Sequence, residues 1–346
     1  MRLLVTGGAG FIGSAFVRLA LKSNAVSELL NLDKLTYAGN LENLTQIAEH
    51  PGYRFVRGDI CDATLVNSLV RDFLPDRLVH FAAESHVDRS IMSPAPVFET
   101  NLRGTFTLLE AARVHRVKSF LHVSTDEVYG SIDPPAEARE DSPLRPSSPY
   151  AASKAGSDLL ALSYCATYGL PVIVTRASNN YGPHQFPEKL IPLMITNALE
   201  ERKLPVYGDG MHVRDWLYVE DHCHALLALL NVGRDGEIYN ISGNCSLPNL
   251  EVVRRILAAT GRPDSLIEYV KDRPGHDRRY ALSSDKIRRE TGWAPRVRFE
   301  DGLAQTIRWY QENTEWVQRV KSGEYREYYA RNYERRTREM ARLLHH

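Results

Sequence analysis

The chain of 346 residues has no excess of charge of either sign, because Lys and Arg number 43 and Asp and Glu also number 43. This balance gives no indication of attraction to nucleic acid or to an acidic membrane surface. An anionic ligand must then be held by a local cluster of cations. We therefore expect neither a nucleic-acid partner nor a membrane partner.

Paired cysteines and long apolar runs are also lacking. The four cysteines form no C-x-x-C pair, which argues against a zinc site or a redox motif. No apolar stretch approaches the roughly 20 residues that span a bilayer. The N-terminus enters a strand-like run at once and shows no signal-peptide pattern. These features predict a cytoplasmic protein with reduced thiols.

A glycine pattern follows the first apolar run. Gly7, Gly10 and Gly13 are spaced G-x-x-G-x-x-G between a predicted strand and a predicted helix. Such glycines permit a tight turn and let backbone N–H groups approach a pyrophosphate. Asp33 ends the next predicted strand, where an acid accepts hydrogen bonds from the adenine ribose and favours NAD over NADP. Lys34 follows, either facing solvent or contacting a phosphate.

Strand-like and helical patterns alternate through the first half of the chain. Strand-like runs at 53–57, 78–82 and 119–124 are separated by helical patterns near 63–73 and 94–115. This alternation predicts an α/β fold with a Rossmann-type doubly wound parallel sheet. Ligands of such sheets bind beyond the carboxyl ends of the strands. We therefore expect the functional residues at those ends.

Two pairs of chemically active residues follow. Asp126 and Glu127 are adjacent at the end of a predicted strand, and Tyr150 and Lys154 are one helical turn apart. An ammonium close to a phenol lowers the pKa of that phenol, so Tyr150 is a candidate proton acceptor during hydride transfer. Adjacent carboxylates repel, so one can stay protonated while its neighbour ionises. The sequence leaves open which of the two holds the proton.

Five longer motifs add a specific resemblance. Together with the glycine pattern and the Tyr/Lys pair, they make the chain similar to the dTDP-glucose 4,6-dehydratases of the extended short-chain dehydrogenase/reductase superfamily, from about residue 1 to about residue 315. The motifs are FAAESHVDRS at 81–90, TDEVYG at 125–130, NNYGP at 179–183, PEKLIP at 187–192 and RPGHD at 273–277.

The resemblance implies a hydro-lyase of deoxysugar biosynthesis that converts dTDP-glucose to dTDP-4-keto-6-deoxyglucose with NAD. Tyr150 would take the C4 hydroxyl proton, with Thr125 bonded to the C4 oxygen and Lys154 placing the nicotinamide ribose. Glu127 would remove the C5 proton. Asp126 would protonate the C6 hydroxyl as it leaves as water, and hydride would return to C6.

The predicted binding residues fall into two sets. The cofactor set is Gly7, Gly10, Phe11, Ile12, Gly13, Asp33, Lys34, Thr36, Asp59, Ile60, Phe81, Ala82, Ala83, Ser85, Thr100, Ser124, Tyr150, Lys154 and Asn180. The substrate set is Ser85, Thr125, Asn179, Lys189, Leu190, Pro205, Val206, Tyr207, Arg214, Asn249, Arg273 and His276. The arginines suit a diphosphate by their bidentate geometry. No partner of His86 or His276 lies at ligand spacing in the sequence, so we predict no metal.

The expected organisation has three parts. Residues 1–180 form the NAD-binding Rossmann domain, with sheet returns near 172–176 and 237–241. Residues 181–315 mainly form a smaller, interleaved C-terminal α/β domain that binds the nucleotide sugar, and 316–346 are a charged tail. The resemblance implies a homodimer that pairs the helices near 94–115 and 150–168.

Several related activities remain as alternatives. A nucleotide-sugar decarboxylase or 4-epimerase of the same superfamily would keep the glycines, Tyr150 and Lys154, but neither needs an acid to expel the C6 oxygen. A GDP-mannose 4,6-dehydratase usually uses NADP, which Asp33 disfavours. A non-catalytic NAD-sensing regulator could dispense with the Tyr/Lys pair, which is intact here.

Overall fold

The computed structural model describes residues 1–23 and 25–322. The strands within this part of the chain are β1 (Arg2–Thr6), β2 (Glu28–Asp33), β3 (Tyr53–Arg57), β4 (Arg77–His80), β5 (Phe120–Thr125), β6 (Val172–Ala177), β7 (Asn179–Tyr181), β8 (Leu204–Tyr207), β9 (Val213–Tyr218), β10 (Ile238–Ile241), β11 (Ser246–Pro248) and β12 (Ile267–Val270).

The helices follow the same order along the chain. They are α1 (Phe11–Lys22), α2 (Ala63–Phe73), α3 (Val87–Met92), α4 (Ala95–Phe98), α5 (Thr105–Val114), α6 (Pro149–Tyr168), α7 (Leu190–Leu199), α8 (Val219–Val232), α9 (Asn249–Thr260), α10 (Asp285–Thr291), α11 (Phe299–Glu312) and α12 (Thr314–Val320). The helix predicted near 94–115 is interrupted, because a π-helical segment at Glu99–Gly104 separates α4 from α5. Among the described helices, none has both the length and the apolar character needed to cross a bilayer.

Seven strands form one parallel sheet in the order β3-β2-β1-β4-β5-β6-β10. The chain runs outward from β1 to β3 and then crosses back to β4, which pairs with the other side of β1. The predicted doubly wound α/β sheet is confirmed. Strand order reverses between β1 and β4, and ligands of such sheets bind in the crevice above that point.

Alternate residues of each central strand pack on opposite faces of the sheet. Leu3 and Val5 belong to the apolar cluster that contains residues of α1 and α8. Leu4 belongs to the cluster formed with α2, α5 and α6. All three side chains are fully buried, as expected for a parallel sheet that helices cover on both faces.

A smaller unit follows the sixth strand of the sheet. It contains a three-stranded sheet in the order β11-β9-β7, the strand pair β8–β12 and a core that includes Tyr181, Trp216 and Phe299. The chain returns to the main sheet through α8 and β10, so the two units are interleaved. Trp316 and Val317 of α12 are buried in the smaller core. Residues 323–346 of the predicted charged tail lie outside the described residues.

Asn43, in the 3-10 turn Leu41–Ile47, joins the two units. Its Nδ2 donates to the Ala9 carbonyl oxygen at 3.1 Å. Its Oδ1 accepts from Trp316 Nε1 at 3.1 Å and lies 3.2 Å from Nδ1 of His184. One buried amide therefore ties the loop after β2 to the glycine loop and to the smaller unit.

Candidate active site

A cleft runs along the carboxyl ends of the strands, between the main sheet and the smaller unit. It encloses about 1570 Å³, including the part open to solvent. Every residue of the predicted cofactor and catalytic sets lines it, and so do Asn179 and Lys189 of the substrate set. The convergence follows from the topology, because parallel strands place their carboxyl ends at one edge of the sheet.

The glycine loop closes tightly against the end of β4. Gly7 has a φ of +74°, and a Cβ there would lie 2.5 Å from the Ala82 nitrogen. A Cβ on Gly13 would lie 2.2 Å from the Gly7 carbonyl oxygen. Both positions therefore need glycine. The first turn of α1 begins at this loop, and unpaired N–H groups of a first turn suit a phosphate.

Asp33 is held at the end of β2 by the backbone. Its Oδ2 accepts from Ala9 N at 2.9 Å, and its Oδ1 accepts from Leu35 N at 2.8 Å. Burial raises the pKa of Asp33, and these two hydrogen bonds oppose that rise. Lys34 forms an ion pair with Asp59 at 2.7 Å, and its side chain is 58% exposed, in line with the solvent-facing expectation. Asp59 thus neutralises the positive charge of Lys34. This disfavours binding of the 2′-phosphate that NADP carries on its adenine ribose.

Tyr150 and Lys154 both lie on the buried face of α6. Lys154 is 3% exposed, its Nζ donates to the Val123 carbonyl oxygen at 2.9 Å, and burial lowers its pKa to about 8. The pKa of Tyr150 is raised, mainly by burial and to a smaller extent by the charge of Glu127. The expectation that Lys154 lowers the Tyr150 pKa is therefore wrong for this structure, because desolvation is the larger effect. A hydrogen bond with Thr125 lowers the Tyr150 pKa but does not offset the effect of burial.

The two carboxylates lie in different surroundings. Asp126 is 3% exposed, whereas Glu127 is only partly buried. Oδ1 of Asp126 accepts from Thr125 Oγ1 at 3.2 Å, and Oδ2 has no hydrogen-bond partner among the residues described. Burial and then the charge of Glu127 raise the pKa of Asp126 well above its usual range, and Arg214 opposes the rise. These surroundings favour Asp126 as the member of the pair that holds the proton.

Arg214 and Arg273 approach the carboxylates from the smaller unit. Arg214 lies over the Tyr280 ring at 4.2 Å and interacts electrostatically with Asp126. Arg273 forms an ion pair with Asp88 at 3.2 Å and interacts electrostatically with Glu127. The structure thus places two guanidinium groups near Asp126 and Glu127, an arrangement that suits an anionic ligand.

The rest of the substrate set lies at the edge of the smaller unit. Tyr207 donates to Asp88 Oδ2 at 2.7 Å. Leu190 and Asn249 begin α7 and α9, and Pro205 and Val206 belong to β8. The Val206 side chain is 1% exposed and packs in the smaller core rather than in the cleft.

His276 has partners that spacing along the sequence did not reveal. Its Nδ1 lies 2.6 Å from Oδ1 of Asp272, and Nε2 of His212 lies 3.2 Å from Oδ2 of the same carboxylate. The two imidazole rings are stacked with centroids 3.7 Å apart and planes 12° apart. One ligand atom from each of His212, Asp272 and His276 lies within 4.8 Å of the others, but the lone pairs of the two nearly parallel rings lie in separate planes. The arrangement fits a hydrogen-bonded trio, and a metal-free site stays a prediction.

Two cleft residues were missed by sequence reasoning. Glu188 lies within the PEKLIP motif but received no role; burial raises its pKa to about 7, and its Oε2 is 3.4 Å from Arg89 Nε. His222 Nδ1 lies 2.9 Å from Asn180 Oδ1, and burial lowers the pKa of His222 to about 3. Glu188 could have been found from its motif. His222 could not, because a histidine within a helical pattern that matches no motif gives no signal.

Comparisons with known proteins agree with this geometry. A family model described as GDP-mannose 4,6 dehydratase matches residues 4–306. A dTDP-glucose 4,6-dehydratase of Streptomyces niveus is 53% identical over 93% of this chain and 96% of its own length. Another, from Shigella flexneri, is 50% identical over 97% of this chain and all of its own length. The chain belongs to the dTDP-glucose 4,6-dehydratase family.

A solved structure extends the family likeness to the fold. The dTDP-glucose 4,6-dehydratase of Streptomyces venezuelae, with NAD and a dTDP ligand bound, superposes with a TM-score of 0.90 at 53% identity. The match covers 93% of this chain and all of that one. That protein thus binds NAD and a dTDP ligand on the fold described above.

The glycine loop generates a test of the cofactor site. We expect Gly7→Ala to retain much less NAD than the parent protein after both are purified with added NAD, because its Cβ would collide with the Ala82 nitrogen. The cofactor content of purified protein, measured after denaturation, checks this. Gly261→Ala is the matched control, because Gly261 has a φ of +67° with nothing within 4 Å of an added Cβ. It should lose about 1–2 kcal/mol of stability and keep its NAD. Full NAD content in Gly7→Ala would contradict the assignment.

Proposed function

We propose that this protein converts dTDP-glucose to dTDP-4-keto-6-deoxyglucose by an NAD-dependent internal redox reaction with loss of water. The observation that carries the proposal is the pair Asp126 and Glu127 beside Tyr150 and Lys154 in one buried cleft. A plain alcohol dehydrogenase needs one proton acceptor, whereas water loss needs an acid and a base as well. The raised pKa of Asp126 supplies the acid.

The cleft fits NAD, which accepts a hydride from the sugar and returns it within the same turnover. The glycine loop and the first turn of α1 would hold the pyrophosphate, and Asp33 would hold the adenine ribose. Lys154 would hold the nicotinamide ribose. Buried polar atoms of the cleft, Ser124 Oγ and Asn179 Oδ1, have no hydrogen-bond partner within the described part of the chain. Such atoms are expected where a polar ligand completes the site.

Oxidation at C4 would depend on Tyr150 and Thr125. A hydrogen bond with Thr125 acts to lower the Tyr150 pKa against the larger effect of burial, and the buried Lys154 lies on the same helix face one turn away. Tyr150 would take the proton of the C4 hydroxyl. Thr125 would remain bonded to the C4 oxygen as it becomes a ketone.

Water loss would depend on the two carboxylates. The C4 ketone acidifies the C5 proton, which Glu127 would remove. Asp126 would give its proton to the C6 hydroxyl, which leaves as water. Hydride would then return to C6 and a proton to C5, which gives the 4-keto-6-deoxy product. A decarboxylase or 4-epimerase has no use for a protonated carboxyl at this place, so the Asp126 environment favours the dehydratase. Arg214 and Arg273 would hold the diphosphate.

The proposed activity has a direct test. Purified protein given dTDP-glucose should form a 4-keto-6-deoxy product without added reductant, because the hydride taken from C4 returns to C6. Mass spectrometry should show loss of one water per sugar. UDP-glucose and GDP-glucose are the matched controls. Turnover of UDP-glucose alone, or a product that retains its water, would overturn the proposal.

The division of roles generates a second test. Asp126→Asn should still oxidise C4 through Tyr150 but slow dehydration by about 10²–10⁴-fold, because the amide cannot donate the acid proton. Reduced cofactor should therefore accumulate on the protein and be seen by its absorbance. Tyr150→Phe is the control with the opposite result, because it should block C4 oxidation and leave the cofactor oxidised. Absence of reduced cofactor in Asp126→Asn would mean that Asp126 is not the acid.

A homodimer is also part of the proposal. Phe98 and Phe106 are 40% and 47% exposed at helical spacing along α4 and α5, and Leu159 of the adjacent α6 is 58% exposed. The two helical segments pack closely, because a Cβ on Gly156 would lie 2.9 Å from Leu102 Cδ2. Large exposed apolar side chains on helices that pack together suit burial against a second copy of the chain.

Phe106→Lys tests this surface. An ammonium in the contact should weaken dimerisation at least about tenfold, equivalent to about 1.4 kcal/mol. Sedimentation velocity over a range of protein concentration measures it. Tyr269→Lys is the matched control, because Tyr269 is 56% exposed on β12, away from these helices. A monomeric parent protein, or equal effects of the two variants, would contradict the proposed interface.

A further inference from the structure

His222 lines the cleft but has no part in the proposed chemistry. It lies in the first turn of α8 and is fully buried. Its Nδ1 lies 2.9 Å from Oδ1 of Asn180, which also lines the cleft. Its Nε2 has no hydrogen-bond partner among the described residues. A buried imidazole that contacts a cleft residue in this way is a candidate for a role in ligand binding.

The contacts of Asn180 allow one orientation of its amide. Nδ2 donates to the Ser178 carbonyl oxygen at 2.9 Å, and a carbonyl oxygen can only accept. The amide oxygen therefore faces His222. The backbone of Asn180 is held as well, because Gln185 Nε2 donates to its carbonyl oxygen at 3.0 Å. The amide nitrogen has two hydrogens, and the one that does not bond Ser178 has no acceptor within the described part of the chain.

The orientation of this amide fixes the tautomer of His222. Oδ1 of Asn180 can only accept, so Nδ1 of His222 carries the hydrogen that lies between them. Burial lowers the pKa of His222 to about 3, so the ring is neutral at neutral pH and Nε2 carries no hydrogen. The amide cannot turn over in this arrangement, because its NH2 group would then meet the Nδ1 hydrogen.

We propose that His222 is a positioning residue for the cofactor: its Nδ1–H fixes the Asn180 amide, so that the remaining amide N–H donates to an acceptor oxygen of bound NAD. NAD carries such oxygens on its pyrophosphate, its riboses and its carboxamide. His222 itself acts through Asn180 and needs no contact with the cofactor. The inference rests on the NAD site proposed above, and its effect can be measured without a sugar.

Exchange of NAD tests the proposal on the loaded protein. Protein purified with added NAD is mixed with an excess of isotopically labelled NAD, and replacement of the bound NAD is followed by mass spectrometry. His222→Leu should release NAD at least about tenfold faster, because the Asn180 amide loses the donor that holds it. His222→Asn is the matched control. Its amide nitrogen lies as many bonds from Cα as Nδ1 of histidine, so it can donate to Asn180 and should keep exchange near the parent rate.

A double-mutant cycle separates an effect through Asn180 from a general loosening of α8. In the Asn180→Leu background, His222→Leu should cause little further acceleration, because the amide that it positions is gone. An equal acceleration with and without Asn180, or equal rates in His222→Asn and His222→Leu, would show that the contact only joins α8 to β7, and would overturn the proposal. If His222→Leu does not fold, His222→Phe removes the same donor and keeps the volume of a ring.

The tautomer of His222 can be observed directly by NMR. In protein labelled with ¹⁵N-histidine, its signals are assigned by their absence in His222→Leu. They should show a protonated Nδ1 and an unprotonated Nε2 at neutral pH, whereas a hydrogen on Nε2 would contradict the proposal. Failure of dTDP-glucose turnover in the parent protein would overturn the proposed function but leave NAD exchange and the tautomer unchanged, so the two failures are distinguishable.

Discussion

Exclusion of water at the end of β5 is the constraint on which the site depends. Asp126, Tyr150 and Lys154 are each less than a tenth exposed. Burial disfavours the charged form of every one of them, so it makes Asp126 an acid and brings the Lys154 pKa close to neutrality. The surrounding charges, Arg214 on one side and Asp158 on the other, then oppose these shifts. The site is a balance between desolvation and a few fixed charges.

Local patterns predicted the sheet and the cofactor cleft. The glycine spacing, Asp33 and the strand ends all depend on short stretches of sequence, and parallel topology brings such stretches together. The other features of the site depend on residues that are far apart in the sequence. Asp158 and Arg176 pair but carry no motif, and Asp272 contacts His212 only in the folded smaller unit. The direction in which the Tyr150 pKa shifts was also predicted wrongly. The extent of its burial cannot be inferred from the spacing of Tyr150 and Lys154.

The two units share the substrate end of the cleft through one carboxylate. Asp88 of α3 accepts from Tyr207 and pairs with Arg273, and both of those residues belong to the smaller unit. A diphosphate bound by Arg273 would compete with Asp88 for that guanidinium. Substrate binding and the contact between the units are thus linked through the same side chain, which explains why neither unit alone contains a complete site.

The Asn43 amide has a consequence for how the cofactor is used. It ties the loop that follows β2 to Ala9 and to Trp316, so hydrogen bonds from both units hold this loop beside the nucleotide site. A reaction that takes a hydride and returns it has no need to exchange its nucleotide between turnovers. Under the proposed chemistry, NAD then behaves as a prosthetic group. The rate of sugar dehydration is accordingly insulated from the ratio of oxidised to reduced NAD in the cell.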